Sequence, residues 1–200
     1  MNFKLLALGA LALTLPLAYQ AVAVPASAAP VSAAAPWKVD SGHSSVVFRV
    51  KHIVAPFWGR FDKVSGNVQW DAAKPETASV ELSVDVGSIN TNDGKRDDHL
   101  RGPDFFSAKE FPTMTFKSTK VAKKGEGKLE ATGDLTLHGV TKSVTVPIEV
   151  VGEGESPFKD TRAGFEATFE IKRSDFSVNG YLPAIGDEVR IIVALECVKG

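Results

Sequence analysis

The sequence predicts an all-β fold of about eight antiparallel strands, and three observations carry that reading. Beyond residue 36, apolar and polar residues alternate with a period of two. Turn-forming clusters, "DAAKPET", "KKGEGK" and "GEGESPF", separate the alternating runs. Only the segment 92–101 offers as much as two turns of helix.

In chain order, Trp37–Asp40 forms a short first strand. "SVVFRVKH" then aligns Val46, Phe48, Val50 and His52 on one face. A long strand is expected over 57–70, with Gly59 and Gly66 placed for bends or bulges. "SVELSVDV" puts Val80, Leu82, Val84 and Val86 opposite Ser79, Glu81, Ser83 and Asp85. Short strands are expected near 113–121 and 128–137. "SVTVPIEV" aligns Val144, Val146, Ile148 and Val150, and Pro147, which has no N–H to give a ladder, argues for an edge or an irregularity there. "GFEATFEIK" sets Phe165, Ala167, Phe169 and Ile171 against polar neighbours, and "VRIIVALEC" aligns Val189, Ile191, Val193, Leu195 and Cys197. One wet face per strand is an antiparallel pattern, because parallel strands covered by helices read as continuous apolar runs. Eight such strands bury a common face as a closed barrel or as a sandwich. The long 57–70 strand favours closure, with a frayed seam at Pro147. A barrel of this size either fills itself with side chains or admits one small ligand.

Ahead of the strands, Lys4 precedes an apolar run, "LLALGALALTLPLA", followed by small residues at 21–23 and 26–28. This is the three-part pattern of a cleaved export signal, residues 1–28, with the cut between 23 and 35. At about 14 residues, broken by Pro16, the run is short of the roughly 20 that a spanning helix needs, so no stable transmembrane segment is expected after cleavage. The domain at 36–199 is then one unit. Without Lys4, 22 basic side chains face 24 acidic ones. That balance gives no footprint for nucleic acid, which calls for a basic face. Cys197 is the sole cysteine, so no intramolecular disulfide forms and the core alone supplies stability.

The densest polar stretch is "NTNDGKRDDHLRGPDFF", 90–106. Asn92 or Asp93 caps a short helix around 94–101. Leu100 and one of Phe105 and Phe106 pin it to an end of the sheet, and Arg96 can pair with Asp97, Asp98 or Asp104. Asp97, Asp98 and His99 are acid and base types, yet no nucleophile elbow, phosphate loop or zincin spacing accompanies them. The stretch therefore reads as the rim of an apolar interior rather than a catalytic centre, and catalytic residues are expected to be none. The four histidines, His43, His52, His99 and His138, show no tight ligand spacing, and no metal is expected. Asp40 stands three residues before His43 as a partner for its ring.

Several ordered motifs give the chain a recognisable likeness: "WKVDSGHSSVVFRVKH" at 37–52, "GRFDKVSGNVQWD" at 59–71, "SINTNDGKRDDHLRGPDFFSAKEFPTMTFKST" at 88–119, "GDLTLHGVTKSVTVPIEV" at 133–150, "IKRSDFSV" at 171–178 and "GDEVRIIVALE" at 186–196. Together they resemble the YceI-like family, from Trp37 to about Glu196. The resemblance implies an extended eight-stranded antiparallel lipocalin-like barrel whose channel holds an isoprenoid chain, in proteins exported to the periplasm, with dimers among them. It matches Arg96, Asp97, His99 and Leu100 to an RDxHL element, with Phe105 and Phe106 as the aromatic pair that follows. Asp40, His43 and Ser44 match the opening motif, and Thr136 through Thr141 an LTxxGxT motif that contains His138. Ser177 departs from the pattern, which often has glycine there.

On this footing the channel is expected to be lined by Phe48, Val84, Phe105, Phe116, Phe165 and Phe169. Its mouth or head-group rim is expected at His43, Arg96, Asp97, His99 and His138. The expected ligand is a polyisoprenoid or polyprenyl quinone-like amphiphile, with no required cofactor and a homodimer as an option. The alternatives are a haem or metal-binding protein using the histidines, and a structural, stress-related barrel with a filled core.

Overall fold

The computed structural model describes residues 36–200; the expected export signal at 1–28 lies outside the described residues. Strands β1 (Trp37–Val39), β2 (Ser45–His52), β3 (Ala55–Phe61), β4 (Val64–Gln69), β5 (Ser79–Asp85), β6 (Ile89–Asn90), β7 (Thr113–Gly125), β8 (Lys128–Leu137), β9 (Val140–Glu155), β10 (Thr161–Lys172) and β11 (Ile185–Lys199) form one antiparallel sheet. Helix α1 (Gly94–Leu100) lies between β6 and β7. Because β1 pairs with both β4 and β11, the sheet closes into a barrel.

The eleven segments amount to eight strands, of which the first three are each interrupted once. β1 and β2 both run along β11. β3 pairs with β2 and β4 with β1. β6 pairs with β3 and β5 with β4. The strand expected over 57–70 is therefore not continuous. At its corner Asp62 accepts from Arg60 Nε at 2.7 Å and Asn90 Nδ2 at 2.8 Å, while its own N–H donates to the Ser88 carbonyl.

Each interruption also corrects the side-chain parity. Phe61 and Val64 are both buried although an uninterrupted strand would put them on opposite faces, and the same shift occurs between Val39 and Val46. An inserted residue keeps the apolar set inward across a sharp bend. Gly59 serves a different need: a Cβ there would lie 2.3 Å from Phe48 Cζ, so the glycine makes room for the ring of its cross-strand partner.

The seam lies where Pro147 places it. β9 pairs with β10 from Glu155 only as far as Ile148; residues 140–147 pair with β8 alone. Below that point a 3-10 turn at Arg173–Phe176, with Phe176 fully buried, fills the gap. Ser177 follows in the left-handed region (φ 61°), a conformation glycine adopts without strain.

Candidate functional site

The barrel encloses an apolar cavity of about 550 Å³, within the range of small-molecule sites. Its floor is Trp70 and Phe165, packed edge to face at 5.4 Å between ring centres. Beneath them Trp37, 1% exposed, donates its indole N–H to the Trp70 carbonyl at 3.1 Å. Cys197 is fully buried in the same core, and burial pushes its thiol up to about 11. The wall is built from the inward residues of the strands: Phe48 and Val50 on β2, Leu82 and Val84 on β5, Met114 and Phe116 on β7, Phe169 and Ile171 on β10, Val189 to Leu195 on β11. Along β11 the wall runs from Leu195 to Val189, six residues or roughly 20 Å of extended strand, and continues past a bulge to Ile185. The space is long and narrow.

All six residues expected in the channel, Phe48, Val84, Phe105, Phe116, Phe165 and Phe169, lie on this wall. Five come from strand alternation. Phe105 comes from the loop after α1, which folds back so that Phe105 is buried and Phe106 packs on Phe61 at 5.7 Å.

The mouth is at the α1 end. Asp93 caps the helix, accepting from the Arg96 backbone N–H at 3.1 Å. Arg96 and His99 line the cavity. Arg96 does not pair with Asp97, Asp98 or Asp104 as the sequence suggested. Its Nε donates to Thr91 Oγ1 at 2.8 Å and its Nη2 to the Thr91 carbonyl at 2.7 Å, and the guanidinium sits 4.7 Å above the Phe57 ring. The acids are engaged elsewhere. Asp98 takes Arg101 at 2.7 Å, and Asp104 takes His99 Nε2 at 2.9 Å. Asp97 is buried behind the cavity wall, where its Oδ1 accepts from the Thr91 N–H at 2.8 Å and the Thr91 hydroxyl at 2.5 Å. Thr91 thus joins Asp97 and Arg96 in one lock that fixes the helix.

Two of the expected rim residues stand elsewhere. His43 is at the opposite end of the barrel, in the turn between β1 and β2, with Nδ1 2.9 Å from Asp40 Oδ2; the register of β1 and β2 along β11 separates it from α1. His138 is in the β8–β9 turn at the mouth end but behind the wall. Its Nε2 is 3.2 Å from Ser107 Oγ, its ring is 4.7 Å from Phe111, and its buried Nδ1 has no partner. It braces the loop between α1 and β7.

The sequence reading passed over several mouth residues: His52, Phe57, Tyr181 and Arg173 all line the cavity. His52 was legible, since it shares the face of Val46, Phe48 and Val50. Arg173 falls inside the motif at 171–178, but nothing marked it as a mouth residue; it leaves the end of β10 in the 3-10 turn, where strand alternation says nothing. Outside the mouth, Ile53, Val54, Tyr181 and Leu182 form an exposed apolar tip, with the Ile53 N–H donating to the Ala184 carbonyl at 2.8 Å.

Among the described residues, Asp40, His43 and Glu196 are the donors close enough to share a metal ion. The chemistry of that cluster fits an ion-pair lock better. Arg162 Nη1 is 3.0 Å from Asp40 Oδ2 and also donates to Glu196 Oε1, while Nη2 is 3.0 Å from Asp160. A dication there would have to displace the guanidinium that already neutralises the carboxylates. No described helix is long and apolar enough to cross a membrane.

The YceI-like domain model matches residues 37–197. A UPF0312 protein of Vibrio parahaemolyticus is 43% identical over 157 residues, 76% of this chain and 83% of that one. Protein YceI of Escherichia coli is 38% identical over 169 residues, 83% and 88% of the two chains. The crystal structure of BcnA from Burkholderia cenocepacia superposes with a TM-score of 0.73 at 34% identity, over 79% of this chain and 98% of that one. A polyisoprenoid binding domain from Saccharophagus degradans, implicated in plant cell wall breakdown, shares the fold with a TM-score of 0.66 at 17% identity, over 83% and 99% of the chains. With the barrel, the cavity and the α1 element in the places its motifs foretold, the chain belongs to the YceI-like family.

Proposed function

We propose that the protein is an exported, periplasmic binding protein that holds the tail of a polyisoprenoid or polyprenyl quinone-like lipid in the barrel and acts by carriage, storage or sequestration rather than by catalysis. The observation that carries this reading is the shape and lining of the cavity: a long space walled by Val, Ile, Leu, Met and Phe, with its few polar side chains gathered at one end. A branched hydrocarbon offers no hydrogen-bonding groups, so a wall of this kind is what it requires. Burial then contributes roughly 25 cal/mol per Å² before ordering costs. The Saccharophagus domain that shares the fold is a polyisoprenoid binding domain, which agrees with the reading. Of the polar side chains that line the mouth, Arg96 bonds Thr91 and His99 pairs with Asp104, and the nearby Ser107–His138 contact lies behind the wall, which favours binding over turnover.

The test is mass spectrometry of organic extracts from protein purified out of the periplasm without detergent. The expected result is a stoichiometric apolar-chain species. An empty extract, followed by failure of added prenyl lipids to bind, would return the barrel to a structural role.

A further inference from the structure

Four of the seven large apolar side chains that stand exposed among the described residues gather at one place. Ile53 and Val54, 60% and 90% exposed, occupy the β2–β3 turn, and Tyr181 and Leu182, 56% and 39% exposed, occupy the loop ahead of β11. The two loops form one unit, since the Ile53 N–H donates to the Ala184 carbonyl at 2.8 Å and His52 stands in register with Ile185. Neither loop carries charge. In a chain that is 24% charged, no Asp, Glu, Lys, Arg or His falls within 53–59 or 176–186. Loops that face water are ordinarily built from polar turn residues, so this tip is made for another surrounding.

The tip stands on the rim of the cavity. Tyr181 lines the cavity and stacks on Phe105, with ring centres 5.7 Å apart, while His52 and Phe57 line it from either side of the β2–β3 turn. Behind the tip, the outer face of β2 and β3 changes character. Lys51 stands across from Pro56, and Arg49 across from Trp58, which is half-exposed. On β11 Arg190 takes Glu170, but among the described residues no carboxylate pairs with Arg49 or Lys51. Trp58 lies four residues past Val54, roughly 13 Å of strand.

This order suits a membrane–water interface. Apolar side chains dip roughly 5–10 Å into the boundary of head groups and acyl chains, an indole sits at head-group level, and lysine and arginine meet the phosphates. A second copy of the chain fits less well, because four side chains on two loop tips fall well short of the roughly 800 Å² per partner that a stable interface uses. A lipid that water does not dissolve is also held in a bilayer before any carrier takes it.

We propose that this tip docks the barrel on a phospholipid bilayer, so that the mouth opens onto the acyl region and the prenyl chain passes between membrane and cavity without crossing water. The tail-binding reading supplies the cargo, and the proposal rests on it for that.

The test is cosedimentation of the purified protein with vesicles of phosphatidylethanolamine and phosphatidylglycerol, alongside titration with geranylgeraniol in their absence. Reversible partition is expected, with half of the protein bound by about 1 mM lipid, weaker than the roughly 0.1 mM that a single myristoyl chain gives. The double variant Val54→Asp, Leu182→Asp should lower partition by about tenfold or more, since a carboxylate resists burial in the interface. Its melting temperature should hold, because both side chains are exposed. Its geranylgeraniol affinity should stay within about twofold, because neither residue lines the cavity. Phe158→Asp, at an exposed phenylalanine in the β9–β10 turn, is the control and should leave partition unchanged. Absence of cosedimentation in protein that binds geranylgeraniol would overturn the docking tip and leave the tail reading intact. Equal loss in Phe158→Asp and the double variant would overturn the tip as the site. A dimer that the double variant abolishes, with no partition onto vesicles, would give the tip to a second copy and overturn the proposal. Partition without geranylgeraniol binding would keep the membrane contact and overturn the tail reading.

Discussion

Asp97 shows how one buried carboxylate can organise a site without touching a ligand. It accepts both donors of Thr91, and Thr91 in turn accepts from and positions Arg96. Asp97→Ala would leave the Thr91 N–H buried and unpaired, at a cost of about 2 kcal/mol. A lowered melting temperature together with weaker prenyl-probe binding is expected; unchanged stability would show that the helix is held by other means. Cys197 makes the opposite case, a reactive group silenced by its surroundings. With the thiol wholly buried and its pKa raised by desolvation to about 11, alkylation by iodoacetamide is expected only after denaturation. Labelling of the folded protein would show that the floor opens.

Acid sensitivity also belongs to single residues. Asp187 is held below an aspartate's ordinary 3.8 by the Ser174 N–H and then its hydroxyl, Asp160 by Arg162, and Asp40 by His43. A carboxylate with a depressed folded-state pKa contributes stability that is complete above the unfolded value and lost as pH falls through the folded one. Melting temperature should therefore drop steeply below about pH 4, and less steeply in Asp187→Asn. Parallel profiles for the two proteins would remove Asp187 from the account.

At the scale of elements, the interrupted strands matter most. Strands β1–β2, β3–β4 and β5–β6 each bend once, and each bend carries the parity shift that keeps valines and phenylalanines inside. Gly59 sits on one of these bent strands with the Phe48 ring over it. Gly59→Ala would push Phe48 toward the lumen, so we expect a destabilisation of about 1–3 kcal/mol and reduced capacity for long prenyl chains. Calorimetric melting and a probe titration measure the two effects separately, and full retention of both would mean the strand slides to make room. Helix α1 is too short to be stable alone. Its cap at Asp93, the Asp97–Thr91 bonds and the packing of Leu100 on the core hold it over the opening.

At the scale of the whole molecule, the barrel is closed at one end and open at the other. Trp37, Trp70 and Phe165 plug one end, and the Arg162 cluster ties β1, β10 and β11 together beside it. A blind tube predicts a length limit. Affinity for prenyl alcohols should rise by at least about 1.4 kcal/mol, tenfold, for each added isoprene unit, and then level off once the tail reaches Trp70. Fluorescence titration over a chain-length series would show the plateau; a rise without limit would mean that the tail leaves by the β9–β10 seam.

The two levels of information divide along a physical line. Alternation is local, so the sequence by itself determined the all-β class, the inward residues Phe48, Val84, Phe116, Phe165 and Phe169, the helix cap near Asp93 and the irregularity at Pro147, each a consequence of backbone geometry a few residues wide. The corner at Asp62–Lys63 was hidden because Gly59 and Gly66 drew attention to the wrong positions, while the actual corner is secured by Ser88 and Asn90 from a neighbouring strand. Polar partners were decided only by the tertiary structure. Asp97 and Arg96 meet through Thr91, His43 and Arg96 stand at opposite ends of the barrel, and Arg173 enters the mouth from a turn. A charged side chain can reach many neighbours, and which one it finds depends on where the closed barrel brings distant strands together.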